Sequence, residues 1–266
     1  MILEKIIEKK KTCLNERKKK IPLEQLKRIV PHSHGKSLTK AFTQKPFVII
    51  AETKKASPSA GIIKKTYHPE KIALSYQKAG ADAVSVLTEE KFFLGKLDDL
   101  KKVKTSVKIP VLMKDFIIDP YQLYEAKLYK ADVILLIVRI LQVPLFKTLL
   151  KLARNLGLEI IIEVHDKKEI KTVLKEVNDF SGIIIGINNR NLDTLKTDVQ
   201  TTFDLLSCLN RVKIPVISES GIKDGKIIKK LFDAGVNGIL IGEHLLKAKT
   251  PLKGINKLTK GIVYGH

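Results

Sequence analysis

At residues 47–61 the chain reads FVIIAETKKASPSAG, an apolar run of strand length that ends in the carboxylate of Glu52 and two lysines. Small residues, Ser, Pro and Gly follow, which is the composition of a loop. A buried parallel strand is a nearly continuous hydrophobic run, and an ionised side chain at its end is either solvated or paired and used. Taken alone, the stretch leaves both interpretations open: an ordinary surface pair of Glu52 and Lys54, or part of a site.

The same pattern recurs along the chain. Eight apolar runs of strand length are present, at 47–51, 84–87, 111–113, 133–138, 160–162, 183–185, 216–217 and 239–241. Segments with helix signals separate them: Asp119 stands before a first-turn proline, and Asp166 with Glu169 resembles a capping box. Strands that alternate with helices form right-handed βαβ units, and eight units predict a closed (β/α)₈ TIM barrel. An open doubly wound sheet is the alternative, but no G-x-G-x-x-G follows the first strand.

The segment before the first run lacks the strand pattern. Apolar residues recur there at helix spacing, as at Ile2, Leu3 and Ile6. We therefore predict that residues 1–45 form an N-terminal helical extension packed on the barrel. With 266 residues the chain can bury a sizeable core, and we expect residues 1–266 to form a single barrel domain that includes this extension.

Composition indicates a globular protein, with 44% hydrophobic residues and a mean hydropathy near zero. No apolar run approaches the roughly 20 residues needed to cross a bilayer, and the N-terminus lacks the apolar core of a signal peptide. Cys13 and Cys208 are too isolated for a disulfide framework or a zinc site. We expect a cytoplasmic protein with no membrane partner.

The formal charge of +21 raises the question of a nucleic-acid partner. The lysines occur in small scattered groups, such as 9–11 and 18–20, and aromatic residues are not interleaved with them as a stacking platform. A solvated lysine-rich surface that helps attract a phosphorylated small molecule is the better interpretation, and we expect no nucleic acid. An inactive basic barrel that binds RNA is the non-enzyme alternative, and its binding would depend steeply on salt.

Polar residues stand at the carboxyl ends of the predicted strands, where parallel barrels build their active sites. After strands 7 and 8, Ser220-Gly221 and Gly242-Glu243 place small residues where backbone N–H groups can approach a ligand closely. Two such pairs favour a phosphate site over tight turns alone. The other polar residues at strand ends are Glu52, Lys54, Lys114, Glu163, Asn188, Arg190 and Glu219.

These stretches resemble the indole-3-glycerol-phosphate synthase family. The resemblance rests on IAETKKASPS at 50–59, TEEKFF at 88–93, LMKDF at 112–116, GINNR at 186–190 and SESGI at 218–222, and on the leading ILEKII at 2–7. It implies a cofactor-free and metal-free (β/α)₈ lyase of tryptophan biosynthesis. Its reaction would close 1-(o-carboxyphenylamino)-1-deoxyribulose 5-phosphate into an indole with loss of CO₂ and water. Departures from the family pattern are Ala60 for a basic residue, Lys130 for a helix-ending glycine and Thr53 for an aliphatic residue.

The resemblance also implies roles for individual residues. Lys114 would be the general acid at the ketone oxygen, with Lys54 as the second candidate or as an anchor for the carboxylate, and Glu163 would be the base. Glu52 and Asn188 would hold the lysines and the substrate hydroxyls. Further substrate contacts would come from Ser57 and Arg190 in loops, from Phe93, Phe116 and Leu135 around the aromatic ring, and from Glu219, Ser220, Gly221, Leu240, Gly242 and Glu243.

Other interpretations have less support. Glu163 and His165 have no third ligand at metal spacing, so we interpret His165 as a polar loop residue. A phosphoribosylanthranilate isomerase-like barrel would need a Cys and an Asp at strand ends, and no Cys stands there. We expect a monomer, with a weak homodimer as the alternative.

Overall fold

A computed structural model describes residues 2–31, 35–210 and 212–259. Within these residues, eight parallel strands close into a barrel. Ile50 in the first strand lies opposite Ala83 on one side and Leu240 on the other, which closes the ring. The closure confirms the predicted (β/α)₈ TIM barrel and excludes the open sheet. The strands are β1 Val48–Thr53, β2 Ala83–Leu87, β3 Val111–Lys114, β4 Val133–Ile137, β5 Glu159–Val164, β6 Ile183–Asn188, β7 Val216–Glu219 and β8 Gly238–Ile241.

Helices precede β1 and then alternate with the strands. Three of those described lie in the segment before β1, which confirms its predicted helical character; its residues 32–34 are outside the described ranges. None of the helices described is both long and apolar enough to cross a membrane. The α-helices are α1 Ile2–Lys20, α2 Leu23–Ile29, α3 Thr39–Gln44, α4 Pro69–Lys78, α5 Leu97–Ser106, α6 Pro120–Leu128, α7 Val143–Asn155, α8 Lys167–Glu176, α9 Gln200–Leu206, α10 Gly225–Asp233, α11 Glu243–Lys247 and α12 Pro251–Thr259.

One hydrophobic cluster takes alternate residues of the barrel strands, for example Val48 and Ile50 of β1 and Ile161 of β5. Side chains alternate between the two faces of a strand, so these residues point to the inside of the barrel. Glu52 and Glu163 continue the same alternation at the carboxyl ends of β1 and β5. The register therefore turns the polar strand ends toward the barrel axis.

Several strands extend past their predicted apolar runs. Glu52 and Glu163 lie inside strands, and Lys114, Asn188 and Glu219 are the last residues of theirs. The ladder continues through them because backbone groups pair whatever the side chain is, as Asn188 does opposite Glu219. These five polar candidates are thus held on strands, whereas Lys54 and Arg190 lie just beyond the ends of β1 and β6.

The N-terminal extension docks through apolar side chains and a buried ion pair. Leu3 and Ile6 of α1 join the cluster inside the barrel. Lys10, which we counted among the solvated lysine groups, is instead fully buried, with Nζ 2.8 Å from both Oδ1 of Asp115 and Oε2 of Glu90. A buried ammonium is tolerated here because two carboxylates replace its water.

Local helix signals are confirmed, with one exception. The carboxylates of Asp119 and Asp166 cap α6 and α8 by accepting the backbone N–H groups of Tyr121 and Glu169. The predicted capping box at α8 is wrong in its second half, because Glu169 accepts the backbone N–H of His165 at 2.7 Å and not that of Asp166. Lys130 has φ +65°, a conformation that glycine adopts without strain, so this departure from the family pattern lies at a turn.

Candidate active site

A cavity opens at the carboxyl ends of the barrel strands. All of the residues predicted for the site line it, so the structure brings the whole predicted set together. The catalytic candidates among them are Lys114, Glu163, Lys54, Glu52 and Asn188, and the substrate-binding candidates are Ser57, Phe93, Phe116, Leu135, Arg190, Glu219, Ser220, Gly221, Leu240, Gly242 and Glu243.

Lys114 occupies the centre of the polar floor. Its ammonium lies 2.9 Å from Oε2 of Glu219 and 3.2 Å from Oε2 of Glu163. Burial on its own would lower the pKa of Lys114, but Glu219 first, then Glu163 and Glu52, raise it well above its usual range. Lys114 is therefore a cation at neutral pH and presents N–H donors to the cavity.

The two carboxylates that share Lys114 differ in their other partners. Glu163 also accepts the side-chain amide of Asn188 at 3.1 Å, whereas Oε1 of Glu219 is buried without a hydrogen-bond partner. Burial raises the pKa of both, but at Glu163 the cation of Lys114 and the groups of His165 and Asn188 outweigh it and lower the pKa. At Glu219, burial and the charge of Glu163 outweigh Lys114 and raise the pKa. The single positive charge of Lys114 can balance only one of the two negative charges. Glu219, which has fewer other hydrogen-bond donors than Glu163, therefore binds a proton more readily.

Glu52 and Lys54 form a second ion pair at the end of β1, with Nζ of Lys54 2.6 Å from Oε1 of Glu52. The pair packs against Gly242, where an added Cβ atom would lie 2.5 Å from Oε1 of Glu52. We predicted Gly242 for close approach to phosphate. The structure gives it a further role, since only glycine leaves room for the carboxylate of Glu52.

Arg190 connects two loops at the cavity rim. Its guanidinium donates to Oγ of Ser59 at 3.2 Å and to the carbonyl of Leu195 at 3.5 Å. Ser57 lies in a short hairpin, Ala56–Ser57 with Gly61–Ile62, that the sequence did not predict. The loop after β1 is thus a hairpin held to the loop after β6.

The loops after β7 and β8 form the part of the rim between the loops after β6 and β1. Ser220 and Gly221 both have left-handed backbone conformations, with φ +68° and +77°. Asn189 fixes this turn from below, because its amide donates to the carbonyl of Ser220 at 3.0 Å and to Oγ of Ser218 at 2.9 Å. Glu243 accepts a hydrogen bond from Lys247 at 2.6 Å, which is the main reason that its pKa is lowered.

Apolar side chains line the remaining wall. The rings of Phe93 and Phe116 lie 6.2 Å apart, and Leu135 and Leu240 complete the strand side of the wall. Sequence reasoning missed a contribution from α1, whose Ile2, Leu3 and Ile6 also line the cavity. Their helical spacing was the available signal, but it indicated only that the helix packs on something.

His165 lies in the loop between β5 and α8, as predicted, but it is buried and paired with two carboxylates, which the sequence did not predict. Only 9% of its surface is exposed, and its ring lies between Glu163 and Glu169, 3.2 Å from each carboxylate. Burial would lower the pKa of His165, but the two carboxylates raise it to about 9. In the described part of the chain, no group of three or more His, Cys, Asp or Glu side chains is arranged to hold a metal ion.

Comparison with known proteins connects this arrangement to one family. The chain matches the sequence model of the family described as indole-3-glycerol phosphate synthase over residues 3–258. It is 43% identical to the indole-3-glycerol phosphate synthase of Aliarcobacter butzleri over 252 residues, which cover 93% of this chain and 94% of that protein. It is 40% identical to the indole-3-glycerol phosphate synthase of Carboxydothermus hydrogenoformans over 266 residues, 97% of this chain and 99% of that protein.

The fold is similar to that of solved barrels with distant sequences. For 3-hexulose-6-phosphate synthase from Salmonella typhimurium the TM-score is 0.61 at 13% identity, over 80% of this chain and 97% of that chain. At this identity the likeness supports the barrel fold alone.

Proposed function

Because the chain belongs to the indole-3-glycerol phosphate synthase family, we propose that the cavity described above is its active site, with Lys114 and Glu163 as acid and base. The enzyme is a carboxy-lyase of tryptophan biosynthesis that forms indole-3-glycerol phosphate. Its substrate is 1-(o-carboxyphenylamino)-1-deoxyribulose 5-phosphate, and CO₂ and water are lost. The observation that supports the assignment most is the Lys114 ammonium, shared between Glu219 at 2.9 Å and Glu163 at 3.2 Å on the cavity floor.

The first step joins the aryl carbon that carries the carboxylate to the ketone carbon. Negative charge develops on the ketone oxygen, and the ammonium of Lys114 donates a proton to it, which leaves a hydroxyl group. An alkoxide is a stronger base than the amine of Lys114, so the transfer is favourable even though the neighbouring carboxylates raise the pKa of the lysine. CO₂ then leaves, and the electron pair of the broken bond restores the aromatic ring.

The second half of the reaction removes water. Glu163 takes a proton from the carbon next to the ring nitrogen, the new hydroxyl leaves with a proton from a lysine, and the indole double bond forms. Asn188 keeps the carboxylate of Glu163 in place, 3.1 Å from its amide. Lys54, paired with Glu52 at 2.6 Å, is positioned to anchor the substrate carboxylate or to give the second proton.

The substrate would lie across the cavity. Phe93, Phe116, Leu135 and the α1 side chains offer an apolar wall for the aromatic ring. The turn at Ser220-Gly221, with the cations Lys54 and Arg190 nearby, offers donors to the phosphate.

The acid–base assignment is tested with Lys114→Ala and Glu163→Gln. A positioned acid or base contributes about 10² to 10⁴ in rate, so each variant should lose most of its turnover while still folding. The measurement is single-turnover indole fluorescence at temperatures below the unfolding transition of each variant. Lys101→Ala, at an exposed lysine of α5, is the matched control and should keep parental rates. A near-parental rate in either site variant would remove that residue from the mechanism.

The state of the enzyme in solution remains a prediction. A monomer is supported by the scatter of the large exposed apolar side chains over separate elements, at Ile29, Ile62, Val143 and Leu252 of the described residues. Sedimentation velocity would distinguish it from a weak homodimer. The proposed cytoplasmic location rests on the sequence, and the two cysteines are free thiols; cell fractionation would test it.

A further inference from the structure

His165 lies behind the proposed base and outside the cavity. It is not among the residues that line the cavity, yet its Nε2 is 3.2 Å from Oε1 of Glu163. This contact is outside hydrogen-bond geometry and is an ion pair. On the other side, Nδ1 lies 3.2 Å from Oε2 of Glu169 within hydrogen-bond geometry. A carboxylate on each side fixes the ring plane and favours the imidazolium form.

The histidine belongs to a row of alternating charges that runs from the protein surface to the cavity floor. Nε of Arg139 lies 2.8 Å from Glu169, and the next contacts are Glu169 with His165 and His165 with Glu163, both at 3.2 Å. Glu163 then meets Lys114 at 3.2 Å. Glu169, His165 and Glu163 therefore each have a partner of opposite charge on both sides.

We propose that His165 is a positioning residue for Glu163, whose carboxylate it holds charged and oriented so that Oε2 faces Lys114 and the reacting atoms. This inference rests on the proposed role of Glu163 as base. It assigns the two oxygens of Glu163 to different tasks: Oε1 is held by His165 and Asn188, and Oε2 faces Lys114. A base with one fixed oxygen can direct the other toward the substrate without losing its orientation between steps.

The charge of His165 depends on all groups that face it. Glu163 on β5 and Glu169 on α8 contact it directly, and Arg139 lies beyond Glu169, where it also pairs with Asp166 at 3.1 Å. Lys114 lies beyond Glu163. Burial lowers the pKa of His165, and the two carboxylates outweigh it and raise the pKa to about 9. At neutral pH the ring is therefore cationic, and the charge is lost as the pH rises through about 9.

A purely structural role would give a different result from positioning. Loss of a buried histidine that only filled space would change stability and would scale activity equally at every pH. Loss of a positioning cation should lower kcat, leave KM nearly unchanged because His165 does not touch the cavity, and remove a step from the pH profile.

The experiment measures kcat and KM from pH 6 to 10 in the full chain and in His165→Gln. The parent should lose kcat as the pH rises through about 9. In His165→Gln, kcat should be lower by about 10- to 100-fold, the usual effect of a group that orients a functional ligand, and the step near pH 9 should be absent. His68→Gln, at an exposed histidine before α4, is the matched control and should retain the parental kcat and profile.

Glu169→Gln provides a second test that keeps the imidazole. Removal of this carboxylate should lower the pKa of His165, so the loss of kcat should occur at a lower pH than in the parent. The inference is overturned if His165→Gln keeps the parental kcat, or if its kcat falls by the same factor at every pH. It is also overturned if the step near pH 9 persists in His165→Gln or does not move in Glu169→Gln. Glu163→Gln separates the two claims: an active Glu163→Gln refutes the proposed base, whereas an inactive one beside a normal His165→Gln refutes only the role of His165.

Discussion

At the scale of the residue, the ionisation of Lys114 is set by side chains that are far from it in the sequence. Its carboxylate partners are 49 and 105 residues away in sequence, at Glu163 and Glu219. The sequence identified each as a polar strand end, and assigned Glu219 only to substrate binding. That Glu219 is the nearer partner of Lys114 depends on rotamers and on the distance between β3 and β7 across the barrel, which no local pattern encodes.

Asn189 offers a test at this scale. The amide of Asn189 pairs with the carbonyl of Ser220, and its Oδ1 accepts the hydroxyl of Thr202 at 2.8 Å. Asn189→Ala leaves that carbonyl without its partner, so the turn at φ +68° should relax. A lost buried hydrogen bond costs about 1 to 3 kcal/mol, and we expect KM for the phosphorylated substrate to rise roughly tenfold or more, with a smaller change in kcat. Steady-state kinetics measures both.

Ser220→Gly is the matching rescue, because glycine adopts that backbone conformation without strain. In the Asn189→Ala background it should lower KM again, and Ser220→Gly alone reports any direct role of the hydroxyl. An Asn189→Ala enzyme with parental KM would show that the turn does not need this amide.

At the scale of the element, the alternation of side chains along a strand explains why the polar candidates meet. Val48, Ile50 and Glu52 share one face of β1, and Leu112 and Lys114 share one face of β3. The apolar members fill the inside of the barrel and the polar members stand at its mouth. This convergence could be predicted from the sequence, because the period of a strand is fixed by backbone geometry.

The first helix is the element that sequence reasoning described least well. Helical spacing predicted α1, but it could not reveal that Lys10 is buried or that Leu3 and Ile6 reach the cavity. Lys10 of α1 forms a buried ion pair with Asp115 and Glu90, and Asp115 is the residue that follows Lys114 in the sequence. The sequence alone does not distinguish Lys10 from Lys9 and Lys11, because only the docking of α1 on the barrel decides which lysine is buried.

Lys10→Met should therefore be strongly destabilising. Removal of one partner leaves the carboxylate of Asp115 buried without its ammonium, which typically costs about 3 to 5 kcal/mol. Burial alone would lower the pKa of Lys10, but Asp115 and then Glu90 raise it above 10.5. The stabilisation is thus fully present below pH 10.5 and is lost only as the pH rises further.

Urea unfolding at pH 7 and pH 9 measures this effect, and the loss should be the same at both. Lys9→Met, one position earlier on the exposed side of α1, should change the free energy of unfolding by no more than about 0.5 kcal/mol. Equal effects of the two substitutions would contradict the importance of the buried pair.

At the scale of the whole molecule, we propose that the extension and the barrel form one cooperative domain. Leu3 and Ile6 belong to the same hydrophobic cluster as strand residues, and the hydroxyl of Tyr121 in α6 donates to the carbonyl of Ile21 at 3.0 Å. Contacts of this kind couple the two parts energetically, so neither should unfold alone.

Unfolding in urea followed by far-ultraviolet circular dichroism and by tyrosine fluorescence should give coincident transitions. The chain has no tryptophan, so Tyr121 and the other tyrosines report tertiary structure. An earlier transition by either probe, or proteolytic loss of the first 45 residues from a folded barrel, would show that the extension is a separate unit.

The sequence by itself determined the fold and the polar strand-end residues of the candidate site. Eight apolar runs alternating with helices specify a barrel, because parallel strands need crossovers, and the polar residues at their ends must then share one rim. Only the tertiary structure decided which groups are partners: Lys114 pairs with Glu219, His165 lies against Glu163, and Lys10 is buried against Asp115. The physical reason is that periodicity acts over a few residues of the chain. Ionisation and orientation instead depend on burial and on charges within a few ångströms in space, which come together only when the ring closes.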